Sequence, residues 1–338
     1  MIIRSKAPLR IGLAGGGTDV SPYSDVYGGA ILNATINLFA YATLIPREDD
    51  TVIFNAVDKN EIKTTTLQQI ETSGELQLLQ GVAKYIIENF DTKITGFELS
   101  TFVDAPAGSG LGTSSTLCVA IISAFAEWLN LPLGEYDIAK LAFEIERNYL
   151  GMAGGKQDQY AATFGGFNFM EFSGEKVIVN PLRVKQKYIN ELENNILLYY
   201  TSTSRLSSSI IEEQQKNVNS KKDKSIDAMH KLKEQSVMMK EAILTGNLDV
   251  IGEILNFGWM FKKQMADGIS NTRIDEIYET AIAHGASGGK ISGAGGGGFM
   301  IFYCPKNTRY PVMQALKSFG GEFKRFQFEE HGVRSWKI

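Results

Sequence analysis

Four short stretches of the chain gather residue types that handle phosphate, metal and hydroxyl groups. The first is Pro106-Ala-Gly-Ser-Gly-Leu-Gly-Thr-Ser-Ser-Thr116. Its alternating glycines, Gly108, Gly110 and Gly112, permit positive φ and let backbone N–H groups approach a ligand closely. Thr113, Ser114 and Ser115 then bring hydroxyls to the start of an apolar run that reads as a buried helix. A helix N-terminus offers unpaired amides and the positive end of its dipole, so the loop 106–115, with Ser109 and Leu111 between the glycines, suits a polyphosphate. A plain helix cap would need one Ser, not three glycines and three hydroxyls.

The other three stretches are less specific alone. In Lys290-Ile-Ser-Gly-Ala-Gly-Gly-Gly-Gly-Phe299, Gly293, Gly295 and Gly298 match GxGxxG. A dinucleotide fingerprint follows a strand and opens a helix, whereas these glycines lead into a strand-like run. The loop, with Gly295 and Gly296 at its middle, reads as a wall against phosphates or substrate, or as a structural loop. In Glu146-Arg-Asn-Tyr-Leu-Gly-Met-Ala-Gly-Gly-Lys-Gln-Asp-Gln159, Glu146 stands near a helix C-terminus, where a carboxylate opposes the dipole; that points to a metal. Asp158, after a glycine turn, either caps the next helix or does chemistry. Finally, Ala7-Pro-Leu-Arg-Ile-Gly-Leu-Ala-Gly-Gly-Gly-Thr-Asp19 carries Arg10 on a strand toward a glycine turn. Taken singly, Arg10 is a surface ion pair and Asp19 a turn cap.

The elements that must position these groups are mixed. Strands are expected over 31–46, 52–55, 97–103, 167–172, 176–179, 196–201, 299–303 and 322–328. Helices are expected over 78–89, 114–129, 136–150, 207–219, 226–245, 248–265, 272–284 and 312–319, with Ser209 and Glu212 forming a capping box. The Lys-, Asn- and Ser-rich run 217–225 reads as a solvated loop. The pattern lacks regular βαβ alternation, so a doubly wound sheet is disfavoured. It predicts two α+β domains, 1–182 and 183–338.

The 338 residues allow about two cores. With 34 basic against 38 acidic side chains, the net charge of −4 supplies no global field for nucleic acid or anionic lipid. Cys118 and Cys304 sit in apolar runs outside any CxxC pair, so neither a disulfide framework nor thiol chemistry is expected. His230, His284 and His331 form no zinc spacing. The N-terminus has no long apolar segment and no run of 18 apolar residues occurs, so a cytoplasmic, non-membrane protein is expected. Neither a Walker A loop nor the His-Arg-Asp and Asp-Phe-Gly kinase signatures are present.

The four stretches, in this order, resemble the GHMP small-molecule kinases, the superfamily of galactokinase, homoserine kinase, mevalonate kinase and phosphomevalonate kinase. Leu13-Ala-Gly-Gly-Gly-Thr-Asp19, Gly154-Gly-Lys-Gln-Asp-Gln-Tyr160 and Gly288–Phe299 are similar to the branch of D-glycero-D-manno-heptose phosphate kinases, with the sugar-kinase half of bifunctional fucokinases a near relative. The resemblance implies an α+β, two-domain architecture with the active site in the cleft between domains. It implies ATP and Mg2+ as cofactors, and Asp158 and Arg10 as catalytic residues. It puts the nucleotide on residues 106–115, and the metal on Ser114 and Glu146. Asp19 falls at a sugar-hydroxyl ligand, beside Gly16, Gly17 and Thr18. Galactokinases carry Glu-His where this chain has Gly16-Gly17, which counts against galactose.

The implied acceptor is heptose 7-phosphate at its anomeric hydroxyl, the alternative a free sugar such as L-fucose. A sugar- or nucleotide-binding sensor would have no need of Ser114, Glu146 and Asp158 together. A phosphorylated sugar needs a local cation. Lys156 and Arg205 are the expected ones, with Lys262, Lys263 and Arg273 read as a solvated helix face. Whether the chain works as a homodimer stays open.

Overall fold

The computed structural model describes residues 1–90, 93–203 and 207–338. In chain order these form β1 (Ile3–Ala14), α1 (Tyr23–Tyr27), β2 (Gly29–Pro46), β3 (Thr51–Ala56), β4 (Glu61–Thr66), α2 (Gln77–Asn89) and β5 (Phe97–Val103). Next come α3 (Thr113–Leu129), α4 (Glu135–Phe143), α5 (Gln157–Phe164), β6 (Phe167–Ser173) and β7 (Lys176–Pro181). The second half holds α6 (Gln186–Asn195), β8 (Ile196–Tyr200), α7 (Ser207–Asn219), α8 (Asp223–Thr245), α9 (Ile251–Lys262) and α10 (Thr272–Ala283). The chain closes with β9 (Gly288–Ile291), β10 (Phe299–Tyr303), α11 (Arg309–Leu316), β11 (Glu322–Lys324) and β12 (Arg334–Lys337).

Two sheets organise the molecule. The first runs β12-β1-β2-β5-β3-β4, with β6 also on β2 and β7 on β6; the second runs β11-β8-β10-β9. Among the described residues only the β3–β5 pair is parallel. β2 is the organising strand, because its first part pairs with β6 and its last part with β5 while β1 runs along its other edge. The mixed α/β, two-sheet layout agrees with the expected class and excludes a doubly wound sheet.

One apolar core joins the halves. Leu9, Ile11, Leu32 and Ile36 of the first sheet pack with Leu198, Ile243, Ile254 and Ile301 of the second half, all buried. Each such side chain contributes roughly 1.5–3 kcal/mol by leaving water, so the halves are held face to face. A second core lies under α3, whose Cys118–Phe125 stretch is buried against β3, β5 and α2. The end of the chain returns to the first sheet: β12 pairs with β1, and the Phe328 ring lies 4.5 Å from that of Phe167.

Some departures from expectation have physical reasons. The helix expected to reach Leu150 ends at Phe143, and Glu144–Tyr149 form a π-helical turn, a feature found mostly at functional sites. β4, β9 and β12 are short or polar and lack a clear two-residue alternation. The run 217–225 is not wholly solvated, because Asn217 Nδ2 and Ser225 Oγ both donate to the Met265 carbonyl, at 2.9 and 2.7 Å.

Candidate active site

A cleft of about 440 Å³ lies where the glycine stretches meet. Its first end is built of backbone. Gly108, Gly110 and Gly112 all take positive φ (71, 81 and 79°), which brings the chain from β5 into α3. No side chain caps α3, so its first amides, at Thr113, Ser114 and Ser115, face the cleft unclaimed by a cap. The 292–298 loop packs on this loop backbone to backbone. A Cβ on Gly293 would stand 2.8 Å from Gly110 Cα, and Phe299 N–H donates to the Ser109 carbonyl at 2.8 Å. Glycine is required because two main chains touch.

Arg10 and Asp158 sit at the centre. The β1–β2 register shifts between Pro8 and Arg10, and the Arg10 N–H turns to the Leu111 carbonyl at 3.1 Å. An irregularity of this kind re-aims a side chain out of a ladder. The guanidinium is 3% exposed and donates to Asp158 Oδ1 through Nε (2.7 Å) and Nη2 (2.6 Å), and to the Gly110 carbonyl through Nη1 (2.6 Å). Asp158 does not cap α5, whose N-cap is Lys156. Its Oδ2 turns toward Gly112, 3.2 Å from where a Cβ would stand.

Ser114 Oγ donates to Glu146 Oε1 at 2.9 Å, and Gln159 Nε2 donates to Oε2 at 2.6 Å. Glu146 is fully buried, and its cationic neighbour Arg147 stands off at 3.8 Å. The π-turn lets Arg147 spread over Ser115 and the Met152 and Gly155 carbonyls. Among the described residues no cluster of three His, Cys, Asp or Glu gathers for a metal. One buried carboxylate plus one hydroxyl instead fits a hard cation that takes its remaining ligands from phosphates and water.

The other end is built of side chains. Asp19 is 1% exposed and accepts from Gln157 N–H at 3.0 Å and Gln157 Nε2 at 3.3 Å, so it sits on the N-terminus of α5. Burial pushes its carboxyl above the usual aspartate value, with Asp158 adding to the rise. Gly17 and Asp19 line the cleft with Lys262 and, from α7, Gln214. Lys262 is no solvated cation: it is 3% exposed and donates to the Gly16 carbonyl at 3.0 Å. Lys290, which sequence reasoning passed over as a site residue, lies behind Gly16, buried. A Cβ on Gly16 would have Lys290 Nζ as its neighbour at 3.9 Å. Burial, then neighbouring cations, pull Lys290 down to about 7; burial pulls Lys262 down to about 8.

Several expected site residues are elsewhere. Lys156 Nζ is held by the Gly174 carbonyl at 2.5 Å with Asp25 at 3.9 Å, so it turns away from the cleft. Thr18 is buried with its hydroxyl on the Gly15 and Ala30 carbonyls, which makes it a turn residue. Gly295 and Gly296 pack on Ile269, and Gly293 and Ala294 line the cleft instead. Pro106, Ser109 and Leu111 shape the glycine loop through their carbonyls without lining the cleft. Lys263 pairs with Asp275 and Arg273 with the Phe319 carbonyl. Arg205 lies outside the described residues.

Known proteins share this sequence and fold. The family described as GHMP kinases N terminal domain matches residues 77–166, and GHMP kinases C terminal matches 239–322. D-glycero-alpha-D-manno-heptose 7-phosphate kinase of Campylobacter jejuni is 47% identical over 338 residues, covering 99% of both chains. The crystal structure of a D-glycero-D-manno-heptose 1-phosphate kinase from Bacteroides thetaiotaomicron superposes with a TM-score of 0.85 at 44% identity, covering 99% of both chains. A bifunctional fucokinase/GDP-fucose pyrophosphorylase of Arabidopsis thaliana is 29% identical over 87% of this chain and 29% of its own length. With both family halves present in order and a relative matched from end to end, the chain belongs to the GHMP kinases and is a phosphotransferase with an alcohol acceptor.

Proposed function

We propose that the protein transfers the γ-phosphoryl group of ATP to the anomeric hydroxyl of a phosphorylated heptose, D-glycero-D-manno-heptose 7-phosphate, giving the 1,7-bisphosphate. The carrying observation is the Arg10–Asp158 pair. Among the described residues it leaves Asp158 Oδ2 unclaimed between the uncapped start of α3 and the Asp19–Lys262 end. The identity to the Campylobacter jejuni enzyme supports the choice of sugar.

The residues divide the work as phosphoryl transfer requires, with positioning and charge neutralisation ahead of covalent chemistry. The amides of Thr113, Ser114 and Ser115 and the backbone of Gly108–Gly112 receive the triphosphate. Ser114 and Glu146, the latter oriented by Gln159, would hold Mg2+, which would supply positive charge against the phosphates there. Asp19 accepts a sugar hydroxyl. Asp158 Oδ2 orients the attacking hydroxyl and takes its proton as the new P–O bond forms and the bond to ADP breaks. Arg10 holds Asp158 in place, and its guanidinium stabilises charge developing at the transferred group.

The test is a panel with Mg-ATP: heptose 7-phosphate, heptose 1-phosphate, unphosphorylated heptose and L-fucose, read by ADP release and by 31P NMR. The expected result is preferred turnover of the 7-phosphate and a new anomeric phosphate resonance. Preference for the 1-phosphate would reverse the orientation of the sugar, and preference for L-fucose would replace the acceptor.

A further inference from the structure

At the acceptor end of the cleft, two buried lysines and one buried amide converge on a turn that has no side chains of its own. Lys262 Nζ would stand 3.2 Å from a Cβ on Gly17, and Gln214 Oε1 3.5 Å from it. Gln214 is 2% exposed, and among the described residues its Nε2 donor has no partner. Lys290 is 6% exposed, and among the described residues its ammonium has no hydrogen-bond or ion-pair partner. A buried ammonium or amide without an acceptor is costly, and such groups persist where a ligand completes them.

The charges around this point are few. Arg10 is committed to Asp158, and Asp19 to the start of α5. Glu212 lines the same end from α7 but is exposed, so solvent screens it. Lys262 lowers the proton affinity of Lys290, Arg10 lowers that of both lysines, and the Asp19 carboxylate raises that of Lys262. What would satisfy two ammonium groups and one amide donor at once is a group with several anionic oxygens.

We infer that Lys262, with Lys290 behind it and Gln214 beside it, forms the seat for the phosphate the acceptor sugar already carries. The side-chain-free Gly16–Gly17 turn is what lets that group reach Lys262 while staying near Lys290. Lys262 touches the phosphate and Gln214 donates to it, while Lys290 supplies charge from beneath Gly16. The site is thereby selective for phosphorylated acceptors over the parent sugar. This rests on the proposed reading that the acceptor arrives phosphorylated.

The experiment measures kcat and KM for heptose 7-phosphate and for unphosphorylated heptose in wild type, Lys262→Met, Lys262→Arg and Gln214→Leu, each checked by thermal melting. Truncating one member of a buried charge pair costs on the order of 30- to several-thousand-fold in affinity. Lys262→Met is therefore expected to lose on the order of 100-fold or more in kcat/KM for the phosphate, chiefly in its KM. The loss should be much smaller for the parent sugar and in the KM for ATP, and Lys262→Arg should recover part of the loss on the phosphate. Gln214→Leu keeps both lysines and should shift the preference in the same direction by less, so it carries the test if Lys262→Met does not fold. An equal loss on both acceptors, or a fall in kcat with acceptor KM unchanged, would overturn the seat and assign Lys262 to the transferred phosphoryl. A wild type that favours unphosphorylated heptose would instead overturn the reading of the acceptor.

Discussion

The two ends of the cleft are built by different means. The α3 end presents backbone: three positive-φ glycines, uncapped amides, and a second glycine loop laid against the first. The Asp19 end presents side chains from the turn after β1, from α7 and from α9, with the buried Lys290 of β9 behind Gly16. A backbone cradle is tolerant of what lies beyond the phosphates, whereas buried charges are selective for the group that completes them. On the proposed assignment of the two ends, this contrast would let one fold keep its donor while changing acceptor.

The largest break in this picture should come where the ends meet. Asp158→Asn is expected to lower kcat by ~10²–10⁴-fold, as general acid–base groups do, with little change in either KM. A loss below tenfold in steady-state kinetics would leave Asp158 an orienting group only. At the backbone end, Gly112→Ala puts a methyl at φ 79°, 3.1 Å from Asp158 Cγ. Strain of ~1–3 kcal/mol follows, and it should appear as a rise in KM for ATP together with a fall in kcat. An unchanged ATP KM would mean the cradle does not depend on that turn. Gln159→Leu removes the 2.6 Å bond to Glu146. The loss expected from an outer partner of a ligand is ~10–100-fold in Mg2+ affinity, read from the metal dependence of rate.

The smallest effect belongs to stability. Lys290 is pulled from the usual 10.5 to about 7 in the fold. The unfolded chain therefore binds more protons between those values, and native stability falls as pH drops from about 10.5 toward 7. Lys290→Met should raise Tm by a few degrees at pH 7, with the gain fading toward pH 10, while acceptor KM worsens. No gain at pH 7 would mean the charge is satisfied without a ligand.

The same contrast governs what could be read from sequence. Gly108, Gly110 and Gly112 were legible because positive φ at alternate positions admits few other residues. Glu146 was legible through its misfit with a helix end. Lys262 looked like an ordinary cation in the last turn of an apolar helix, and only the packing of α9 against the Gly16 turn reverses that. Lys156 lies two residues from Asp158 yet faces the opposite way, since α5 begins between them and the β6–β7 turn supplies Gly174. Gly295 and Gly293 differ by two positions in a loop whose path no local rule dictates.

The strand β12 carries a further consequence. The polypeptide passes between the two sheets once near residue 182 and again before residue 334, so the halves are laced together twice over a common core. Two tethers remove the free hinge that a single linker would give. Heating should then melt the whole chain in one calorimetric transition.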